Sequence, residues 1–428
     1  MRKKILILAY ACLPGKGSEP GVGWNFAKEM AVYYDVWVIT REENRSLIER
    51  AIEDEPIPGL NFLYHNVPKS SAWWKRGSAG LQIHYYFWQL TVPRFLEEMH
   101  RKICFDIVHH LTYTKYWAPS GARKMKIPFI WGPVGGGESM PKPFWSSLSV
   151  KAKIYEKTRT IARMIGEIDP ALVKTAANAK LGFATTPETQ ERMQRLSGCK
   201  IEKMTSIAVP SDEFEKLKSF SKSTSTFEAR KKYTFVGIGR LFGWKGYHLV
   251  FHAFAKAYLP DENIVILGSG PESNNLKELA KTLGIDDRVI FLSNINRDEV
   301  LQLLLNAKVF VHPSLHESGG MVILEAMSAE LPVICFDIGG PAVLVNNSVG
   351  RKIPAITPDQ AIEDLSKAMR ELATNDELRE RLGSSAQESV AANFTWKAKA
   401  EQFAKIYEQI LSKEQGLEPS DPEEARSA

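Results

Sequence analysis

The stretch VFVHPSLHESGGMVILEAMSAELPVICFD, residues 309–337, contains a strand, a loop, a helix and a second strand in one run. VFVHPS and LPVICFD are apolar runs of strand length, whereas GGMVILEAMSA has the length and composition of a buried helix. A helix that connects two buried strands makes a right-handed crossover between parallel strands. This stretch therefore predicts a parallel β-sheet covered by helices.

Similar apolar runs alternate with helical patterns along the rest of the chain. Before residue 216 they are KILILAY, DVWVIT, NFLYHNV, DIVHHL, PFIWGP and LGFATT, and after it they are YTFVGIG, NIVILGSG, RVIFLS, VFVHPS and LPVICFD. The 428 residues also exceed one ordinary core. The pattern predicts an α/β protein with two doubly wound, Rossmann-like domains of parallel sheet. The carboxyl ends of the two sheets would face a central cleft, where ligands bind.

The domain boundaries are predicted from local composition. Residues 216–232 are rich in Ser, Thr and Lys, as linkers are. We therefore predict an N-terminal domain over residues 1–215 and a C-terminal domain over residues 216–393. An amphipathic helix is predicted over about residues 394–412, and the polar residues 413–428 are expected to be a disordered tail.

The composition, 44% hydrophobic and 25% charged, is that of a soluble globular protein. The four cysteines form no CxxC pair, so we expect no disulfide framework or zinc site, and a reducing cytoplasm fits. Arg2, Lys3 and Lys4 precede ILILAYACL as in a signal peptide, but no small-residue cleavage site follows. A buried first strand is favoured, and no apolar run reaches the ~18 residues of a membrane span.

The net charge of +5 comes from the first half of the chain, above all from residues 69–163. That segment holds 16 basic residues, 5 acidic residues and 16 aromatic residues. A basic, aromatic surface for an anionic membrane is one interpretation, and a solvated face over an aromatic core is the other. The segment KAKIYEKTRTIARMIG is the amphipathic candidate, with Lys153, Lys157 and Arg163 as its contact cations.

Two glutamates, Glu317 and Glu325, stand in the opening stretch with seven residues between them. Ser318 can cap the helix that follows, while Gly319 and Gly320 allow a ligand to approach its first turn. The start of a helix binds anions, and carboxylates accept hydrogen bonds from adjacent hydroxyls. The spacing predicts a nucleotide-sugar with its phosphates in the middle, although Glu325 can also merely decorate the helix.

Further candidates follow other predicted strands. In VGIGRLFGWKG, Arg240 and Lys245 suit a diphosphate, unless they are ordinary surface cations. PGKGSEPGVGWNF contains Gly21 and Gly23 but no GxGxxG fingerprint, which argues against dinucleotide binding. The loops of DIVHHLTYTKYW and WGPVGGGESMP offer possible acceptor or sugar contacts, although a lone histidine is more often structural. These residues are His109, His110, Thr112, Gly135, Gly136 and Gly137.

No P-loop, HExxH motif or DxD pair occurs in the sequence. A diphosphate held through a DxD-bound metal is therefore disfavoured, and cations and helix termini must neutralise it instead. We accordingly predict no metal and no cofactor, with the nucleotide-sugar as a substrate.

The motifs together resemble those of glycosyltransferase family 4, whose members are retaining enzymes of the GT-B fold. VGIGRLFGWKG is similar to the family's GRL…KG element, and HPSLHESGGMVILEAMSAELPVI to its PS…E-x7-E…PVI element. SEPGVGWNFAKEMA with VWVITREENR is similar to one bacterial branch, and FTW…IYEQIL to the helix that returns to the N-terminal domain. The resemblance covers nearly the whole chain.

The resemblance implies a role for each matching residue. Arg240 and Lys245 would hold the donor diphosphate, Glu325 the nucleotide ribose, and Glu317 the hydroxyls of the transferred sugar. The amides of Gly319, Gly320, Met321 and Val322 would face phosphate and sugar, and Gly21 or Gly23 would approach the diphosphate from the other domain. Transfer would follow a front-side path without a metal, in which the leaving phosphate oxygen helps to deprotonate the acceptor.

This chain departs from the family at two positions. Glu330 stands where the family usually has glycine, and a left-handed backbone there would be strained by roughly 1–2 kcal/mol. The family's His-x-His appears as His109 and His110, so the histidine that reaches the sugar is open.

The predicted function is a retaining hexosyltransferase that uses a UDP- or GDP-sugar. Its acceptor would be a carbohydrate or a lipid-linked molecule in polysaccharide or glycolipid assembly, at the cytoplasmic face of a membrane and without a nucleic-acid partner. One alternative is a non-catalytic protein that binds sugars or lipid surfaces. Another is a nucleotide-sugar oxidoreductase or epimerase, which the missing GxGxxG disfavours.

Overall fold

The computed structural model describes residues 2–67, 77–147, 150–223 and 232–414. Thirteen strands within these residues form two sheets, each parallel throughout. The N-terminal sheet has the order β3-β2-β1-β4-β5-β6-β7, and the C-terminal sheet the order β10-β9-β8-β11-β12-β13. The predicted α/β architecture with two Rossmann-like domains is confirmed.

The strands of the N-terminal sheet are β1 (Lys4–Leu8), β2 (Asp35–Arg41), β3 (Leu60–His65), β4 (Ile107–His110), β5 (Phe129–Val134), β6 (Leu181–Ala184) and β7 (Lys200–Lys203). The strands of the C-terminal sheet are β8 (Tyr233–Ile238), β9 (Ile264–Leu267), β10 (Val289–Leu292), β11 (Ala307–His312), β12 (Val333–Phe336) and β13 (Gly350–Ile353). The central strands are buried on both faces, which explains why they occur in the sequence as continuous apolar runs.

Helices cover both faces of each sheet. Those up to residue 223 are α1 (Ser18–Met30), α2 (Arg45–Asp54), α3 (Gly77–Ile103), α4 (Val150–Glu167), α5 (Pro170–Asn178), α6 (Pro187–Leu196) and α7 (Ser211–Ser223). Those that follow are α8 (Tyr247–Ala257), α9 (Ser273–Thr282), α10 (Arg297–Leu305), α11 (Met321–Ser328), α12 (Gly339–Leu344), α13 (Pro358–Thr374), α14 (Asp376–Asn393) and α15 (Trp396–Glu414).

The predicted linker is partly helical. Helix α7 extends to Ser223, and its Phe214 and Leu217 are buried in one cluster with residues of the C-terminal domain such as Phe310. The predicted boundary after residue 215 thus falls within a helix that packs on the C-terminal domain. Residues 224–231 and most of the predicted tail, residues 415–428, lie outside the described residues.

The last helix, α15, leads from the C-terminal domain back onto the N-terminal sheet. It starts beside the earlier connection between the domains, where Val209 N–H donates to Phe394 O over 2.7 Å and Trp396 N–H donates to Val209 O over 3.1 Å. Phe403 of α15 packs edge-on against Phe26 of α1 at a ring distance of 5.1 Å. The two segments that connect the domains, around Val209 and around Phe394, are therefore hydrogen-bonded to each other, and α15 is packed on the N-terminal core.

Glu330 has the left-handed backbone that its position predicts, with a φ of 59°. It follows α11 at the point where the chain turns towards β12. A residue with a Cβ costs roughly 1–2 kcal/mol more than glycine in this conformation. The strain at Glu330 therefore lowers the stability of the turn between α11 and β12.

Helix α15 also carries a buried cation. Lys399 is 2% exposed, and its Nζ donates to the carbonyl oxygen of Thr205. Burial lowers the pKa of Lys399 from its ordinary 10.5 to about 7. The folded chain therefore releases this proton at a pH where the unfolded chain still holds it.

We expect Lys399 to make the wild-type chain more stable as the pH rises from about 7 towards 10.5. In that window the unfolded state binds more protons than the folded state, so the free energy of unfolding gains up to about 1.4 kcal/mol per pH unit. Lys399→Met should remove this gain. Urea denaturation of both proteins between pH 7 and 9.5, with Lys405→Met on the exposed side of α15 as the control, measures it. Parallel pH profiles for wild type and Lys399→Met would contradict the assignment.

Candidate active site

Two loops of the C-terminal domain meet because their strands are neighbours. β8 pairs with β11, so the segment after β8, residues 239–246, lies beside the segment after β11, residues 313–320. Gly246 has a φ of +71°, and a Cβ there would lie 2.1 Å from the Pro313 carbonyl oxygen. Leu315 N–H donates to Trp244 O over 2.8 Å. The glycine and this hydrogen bond hold the two loops in backbone contact.

The contact brings two of the predicted site residues together. Lys245 Nζ donates to Glu317 Oε2, and His312 Nε2 lies 3.6 Å from the same oxygen. Burial raises the pKa of Glu317, but the contacts with His312 and with the Lys245 ammonium group lower it by more, to about 2. Glu317 is therefore an ionised carboxylate at neutral pH, with a cation directly beside it.

Helix α11 begins next to this ion pair. Gly320 precedes its first residue with a φ of +108°, a conformation that favours glycine, and no side chain caps the helix start. The predicted capping by Ser318 is wrong, because Gly320 stands at the N-cap position; the Ser318 hydroxyl donates to Glu138 Oε2 over 2.7 Å. Gly319, Met321 and Val322 are half-buried at the helix start. Their amides suit an anion.

Glu325 lies in the second turn of α11, about 6 Å along the axis from Met321. It is 8% exposed, and its Oε1 lies 2.9 Å from Nη2 of Arg297 at the start of α10. Burial raises the pKa of Glu325, and the Arg297 guanidinium opposes that rise. Arg297 also binds Glu213 of α7, so two carboxylates share one guanidinium. Glu325 is therefore a buried, ion-paired residue rather than a solvent-exposed one. Its contact with a ribose stays a prediction.

Arg240 is exposed on the loop after β8. Its guanidinium lies 4.8 Å from the ring centre of Phe242, which stacks on Trp244 at 4.5 Å. Trp244 in turn stacks on Tyr155 of α4 at 5.7 Å. These stacked side chains connect the Arg240 guanidinium of the C-terminal domain to α4 of the N-terminal domain.

Two buried carboxylates of the N-terminal domain hold the residues on either side of Glu317. Glu138 accepts the Ser318 hydroxyl, and Glu156 of α4 binds His316 Nδ1 at 2.9 Å. Burial raises the pKa of Glu156, but contacts with His316 and nearby arginines lower it below its usual range. Both domains therefore fix the position of the Glu317 backbone.

Glu138 is 2% exposed, in the loop that follows β5. Its carboxylate also accepts the Gly136 amide at 3.1 Å and the hydroxyls of Thr186 and Thr189 at 3.1 and 3.0 Å. Glu138 was not among the predicted residues, although its place in a glycine-rich loop after a buried strand was a usable signal. Nothing in the local pattern marked Glu156 or Arg297, since their partners come from distant elements.

The glycines of this loop lie where the domains approach each other. A Cβ at Gly135 would lie 3.4 Å from Ser318 Cβ, and Gly136 has a φ of +97° with the Trp117 ring against its Cα. The Gly137 amide donates to Thr189 Oγ1 over 2.9 Å. Gly135 thus lies beside Ser318 of the C-terminal domain, and the contact of Gly135 and Gly136 with sugar or acceptor stays a prediction.

Gly21 and Gly23 lie in α1, close to the loop that precedes it. A Cβ would come within 2.1 Å of the Lys16 carbonyl oxygen at Gly21 and within 2.3 Å of the Ala11 carbonyl oxygen at Gly23. The packing of α1 on this loop explains both glycines without a ligand. Their approach to a diphosphate stays a prediction.

The two histidines belong to the protein core rather than to the cleft. Both ring nitrogens of His109 are occupied, by the Tyr407 hydroxyl and the Gly132 carbonyl oxygen, and burial lowers its pKa to about 4. His110 is packed on the opposite face of β4, where its Nε2 lies 3.2 Å from the Tyr85 hydroxyl. Successive strand residues point to opposite faces, so one histidine serves each helix layer.

Thr112 is also fully buried, and its hydroxyl accepts the Ala11 amide at 3.1 Å. The expectation that these three residues contact sugar or acceptor therefore has to be corrected to a structural role. Lys115 and Trp117 follow in the same loop and were not among the predicted residues; both are half-buried, and Lys115 Nζ lies 5.3 Å from the centre of the Trp117 ring. Burial lowers the pKa of Lys115 to about 8.

The assembled site has an ionised carboxylate, two cations on one loop and an uncapped helix start within two adjacent loops. Such an arrangement can hold a diphosphate beside a polyhydroxylated ring. Within the described ranges, no group of three or more His, Cys, Asp or Glu side chains is placed to hold a metal ion.

Residues 220–389 match a family described as Glycosyl transferases group 1. A D-inositol 3-phosphate glycosyltransferase of Corynebacterium efficiens is 31% identical over 186 residues, which are 41% of this chain and 43% of that protein. The first curated relatives are matched over only 39% to 43% of their own length.

Solved structures match over almost the whole chain. A glycosyltransferase from Rickettsia africae has a TM-score of 0.60 at 17% identity, with 96% of this chain and 99% of that chain covered. Anabaena HepE, solved with UDP and glucose, has a TM-score of 0.56 at 18% identity, with 95% and 100% covered. Residues 220–389 are therefore similar to the group 1 glycosyl transferases, and the two domains of the chain form a GT-B fold.

Proposed function

We propose that this chain is a retaining glycosyltransferase. It transfers a hexose from a nucleoside-diphosphate sugar to a carbohydrate or lipid-linked acceptor. The observation that carries the proposal is the Lys245–Glu317 ion pair at the uncapped start of α11. A cation for the diphosphate and a carboxylate for sugar hydroxyls are thereby side by side.

The neighbouring groups support the same donor. Arg240 adds a second cation on the loop that carries Lys245, and the α11 amides add a third source of positive potential. HepE, which shares the fold, was solved with UDP and glucose, and the Corynebacterium relative is named for glycosyl transfer to inositol phosphate. We propose UDP- or GDP-sugars as the donors to test first.

The ionisation state of Glu317 constrains the mechanism. A carboxyl group with a pKa of about 2 holds no proton at neutral pH, so it cannot protonate the leaving group. The charge on the departing diphosphate must be stabilised by Lys245, Arg240 and the helix start. Glu317 instead accepts hydrogen bonds from the transferred sugar.

We propose a front-side transfer on this geometry. The bond from the anomeric carbon to the phosphate oxygen breaks, and the bond to the acceptor oxygen forms on the same face of the sugar. The acceptor proton passes to the departing phosphate oxygen. No metal is assigned to this step, because two cations and a helix start are available to the diphosphate.

The acceptor enters from the loops of the N-terminal domain that carry Lys115, Trp117 and Gly135 in this proposal. A lipid-linked acceptor would place the chain peripherally at the cytoplasmic face of a membrane, in polysaccharide or glycolipid assembly. In the part of the chain that the structure describes, no helix combines the length and apolarity required to cross a bilayer.

A panel of sugar nucleotides with EDTA present tests the proposal. One donor should release its nucleoside diphosphate, and the matching nucleotide should raise Tm, since a ligand at 100 times its Kd stabilises by about 2.7 kcal/mol. A loss beyond about tenfold in EDTA, restored by Mg²⁺ or Mn²⁺, would contradict the metal-free mechanism. A shift with NAD alone would favour an oxidoreductase or epimerase, and binding without turnover a non-catalytic protein.

The paired glutamates should affect nucleotide binding differently. We expect Glu325→Gln to weaken binding of the free nucleoside diphosphate by about 10- to 100-fold, the value of a lost hydrogen bond to a charged group. Glu317→Gln should leave that affinity within about threefold and lower turnover instead, because the transferred sugar is the only part of the donor assigned to Glu317. Calorimetric titration and steady-state kinetics separate the two effects.

Glu213→Gln is the matched control, because Glu213 binds the same Arg297 from α7. Equal loss of nucleotide affinity in Glu213→Gln and Glu325→Gln would assign the effect to the ion-pair network. Equal loss in Glu317→Gln and Glu325→Gln would show that the ribose and sugar assignments are wrong.

The leaving-group cations should act mainly on rate. Lys245→Ala should lower kcat by about 10²- to 10³-fold, because the missing charge is needed most in the transition state. The KM for the donor should rise less than about tenfold. Arg240→Lys should also lose rate, since an ammonium group cannot replace a bidentate guanidinium.

Lys281→Ala, on the exposed face of α9, serves as the charge-matched control for these kinetics. All variants are compared at saturating acceptor. A Lys245→Ala protein with nearly normal kcat would show that the diphosphate charge is neutralised elsewhere, with the start of α11 as the next group to test.

A further inference from the structure

Helix α4 exposes a row of apolar side chains to solvent along one side, with Lys157 among them. The α4 face consists of Val150, Ile154, Ile161, Met164, Ile165 and, directly after the helix, Ile168. These side chains are 54% to 78% exposed. Their positions, i, i+4, i+11, i+14, i+15 and i+18 from Val150, all fall on one side of a helix. Isolated exposed apolar side chains are common, but six along one side of a helix indicate a contact surface.

The opposite side of α4 is charged and faces the protein. Glu156 binds His316, and Arg159 Nη1 donates to the Glu138 carbonyl oxygen over 2.6 Å. Arg163, 3% exposed, donates to the Gly137 carbonyl oxygen over 3.2 Å. The usual orientation of a surface helix is thus reversed. These buried charges fix the helix so that its apolar side must point outward.

The charges around the α4 face are of one sign. Lys157 lies exposed within the α4 face, and Lys153 lies half-buried at its border. On α5, exposed Lys174 follows Val173, which is 48% exposed.

The other two acidic residues of this region are turned towards the protein. Glu167 accepts the Tyr116 hydroxyl at 2.6 Å, and Asp169 accepts the Tyr86 hydroxyl at 2.9 Å. The outward surface is therefore apolar and cationic.

This surface replaces the broader one expected from residues 69–163. Within the described residues, six of the 16 aromatic side chains there, such as Tyr85, Trp88 and Trp131, are buried in the N-terminal core, as in the aromatic-core interpretation. Arg163 is no membrane-facing cation, because it binds backbone carbonyls inside the protein. Trp73 and Trp74 lie outside the described residues.

We propose that the α4 face inserts into the interfacial layer of an anionic lipid bilayer. Interfacial helices combine an apolar face with lysines that reach back to the head groups. A second copy of this chain fits the surface less well. If two copies packed on this face about a two-fold axis, Lys157 of one copy would be buried close to Lys157 of the other copy. Burying two like charges among apolar side chains is unfavourable.

The docked helix would bring the cleft to the membrane. Arg159 and Arg163 hold the loop of Gly136 and Glu138, and Glu156 reaches the loop of Glu317. A lipid-linked acceptor that stays in the bilayer would then meet the cleft beside α4. The docking rests on the α4 face alone, and only the lipid-linked nature of the acceptor rests on the proposed function.

Sedimentation of the full chain with vesicles tests the proposal. Wild type should bind vesicles of phosphatidylcholine with 30 mol% phosphatidylglycerol and be released by high salt. The triple variant Ile161→Ser, Ile165→Ser and Ile168→Ser should lower the partition coefficient by at least about tenfold. Lys153→Glu with Lys157→Glu should lower it several-fold, on the anionic vesicles only.

A second triple variant, Val32→Ser, Leu47→Ser and Ile356→Ser, is the matched control, since these side chains are 70%, 48% and 62% exposed elsewhere. It should bind like wild type. Binding that is unchanged in the α4 triple variant would overturn the proposal. So would a wild-type dimer in sedimentation velocity that this variant dissociates, without any vesicle binding.

Hydrolysis of a sugar nucleotide in the absence of vesicles distinguishes this inference from the proposed function. Hydrolysis should be unchanged in the α4 triple variant, since its three side chains are 56% to 78% exposed, on the side of α4 opposite Glu156 and Arg159. Vesicle binding without turnover of any sugar nucleotide would support the docking while the proposed function fails. Turnover of a sugar nucleotide without vesicle binding would support the proposed function while the docking proposal fails.

Discussion

The ion pair between Lys245 and Glu317 is the interaction on which the account of this protein depends. Its side chains are only 18% and 22% exposed, so both charges are largely removed from water. Such pairs seldom add stability, because desolvation offsets their attraction. The pair instead keeps Glu317 ionised and holds a cation beside it. A diphosphate that recruits Lys245 would release the carboxylate for the hydroxyls of the attached sugar.

The position of this pair depends on both domains. The register of β8 and β11 aligns the two loops of the C-terminal domain, and Glu138 and Glu156 of the N-terminal domain hold the residues on either side of Glu317. The buried His109 contacts Tyr407 and Phe403 of α15. This contact fixes the N-terminal domain to the helix that returns from the C-terminal domain. A relative movement of the domains would therefore act directly on Glu317. The same helix that supplies Glu156 presents the α4 face to solvent, so membrane docking and cleft geometry share one element.

The fold was largely predictable because buried parallel strands leave continuous apolar runs. The two strands that were missed, β7 and β13, are short and charged edge strands without such a run. Within the site, Lys245 and Glu317 follow adjacent strands, so their meeting could be predicted. The partners Glu156 and Arg297 could not, because tertiary packing alone brings them to His316 and Glu325, respectively. Glu138, the partner of Ser318, did have a usable signal in its glycine-rich loop. Ser318 is no helix cap because the helix begins two residues further along, after Gly320.

A crystal structure with a bound donor would test the central claim most directly. The ligand would be the intact sugar nucleotide that raises Tm most among UDP-, GDP- and ADP-sugars. The account predicts that Lys245 Nζ moves to hydrogen-bond a diphosphate oxygen, while Glu317 accepts hydrogen bonds from hydroxyls of the sugar. A structure in which the Lys245–Glu317 pair stays closed, with diphosphate and sugar bound away from both residues, would contradict it.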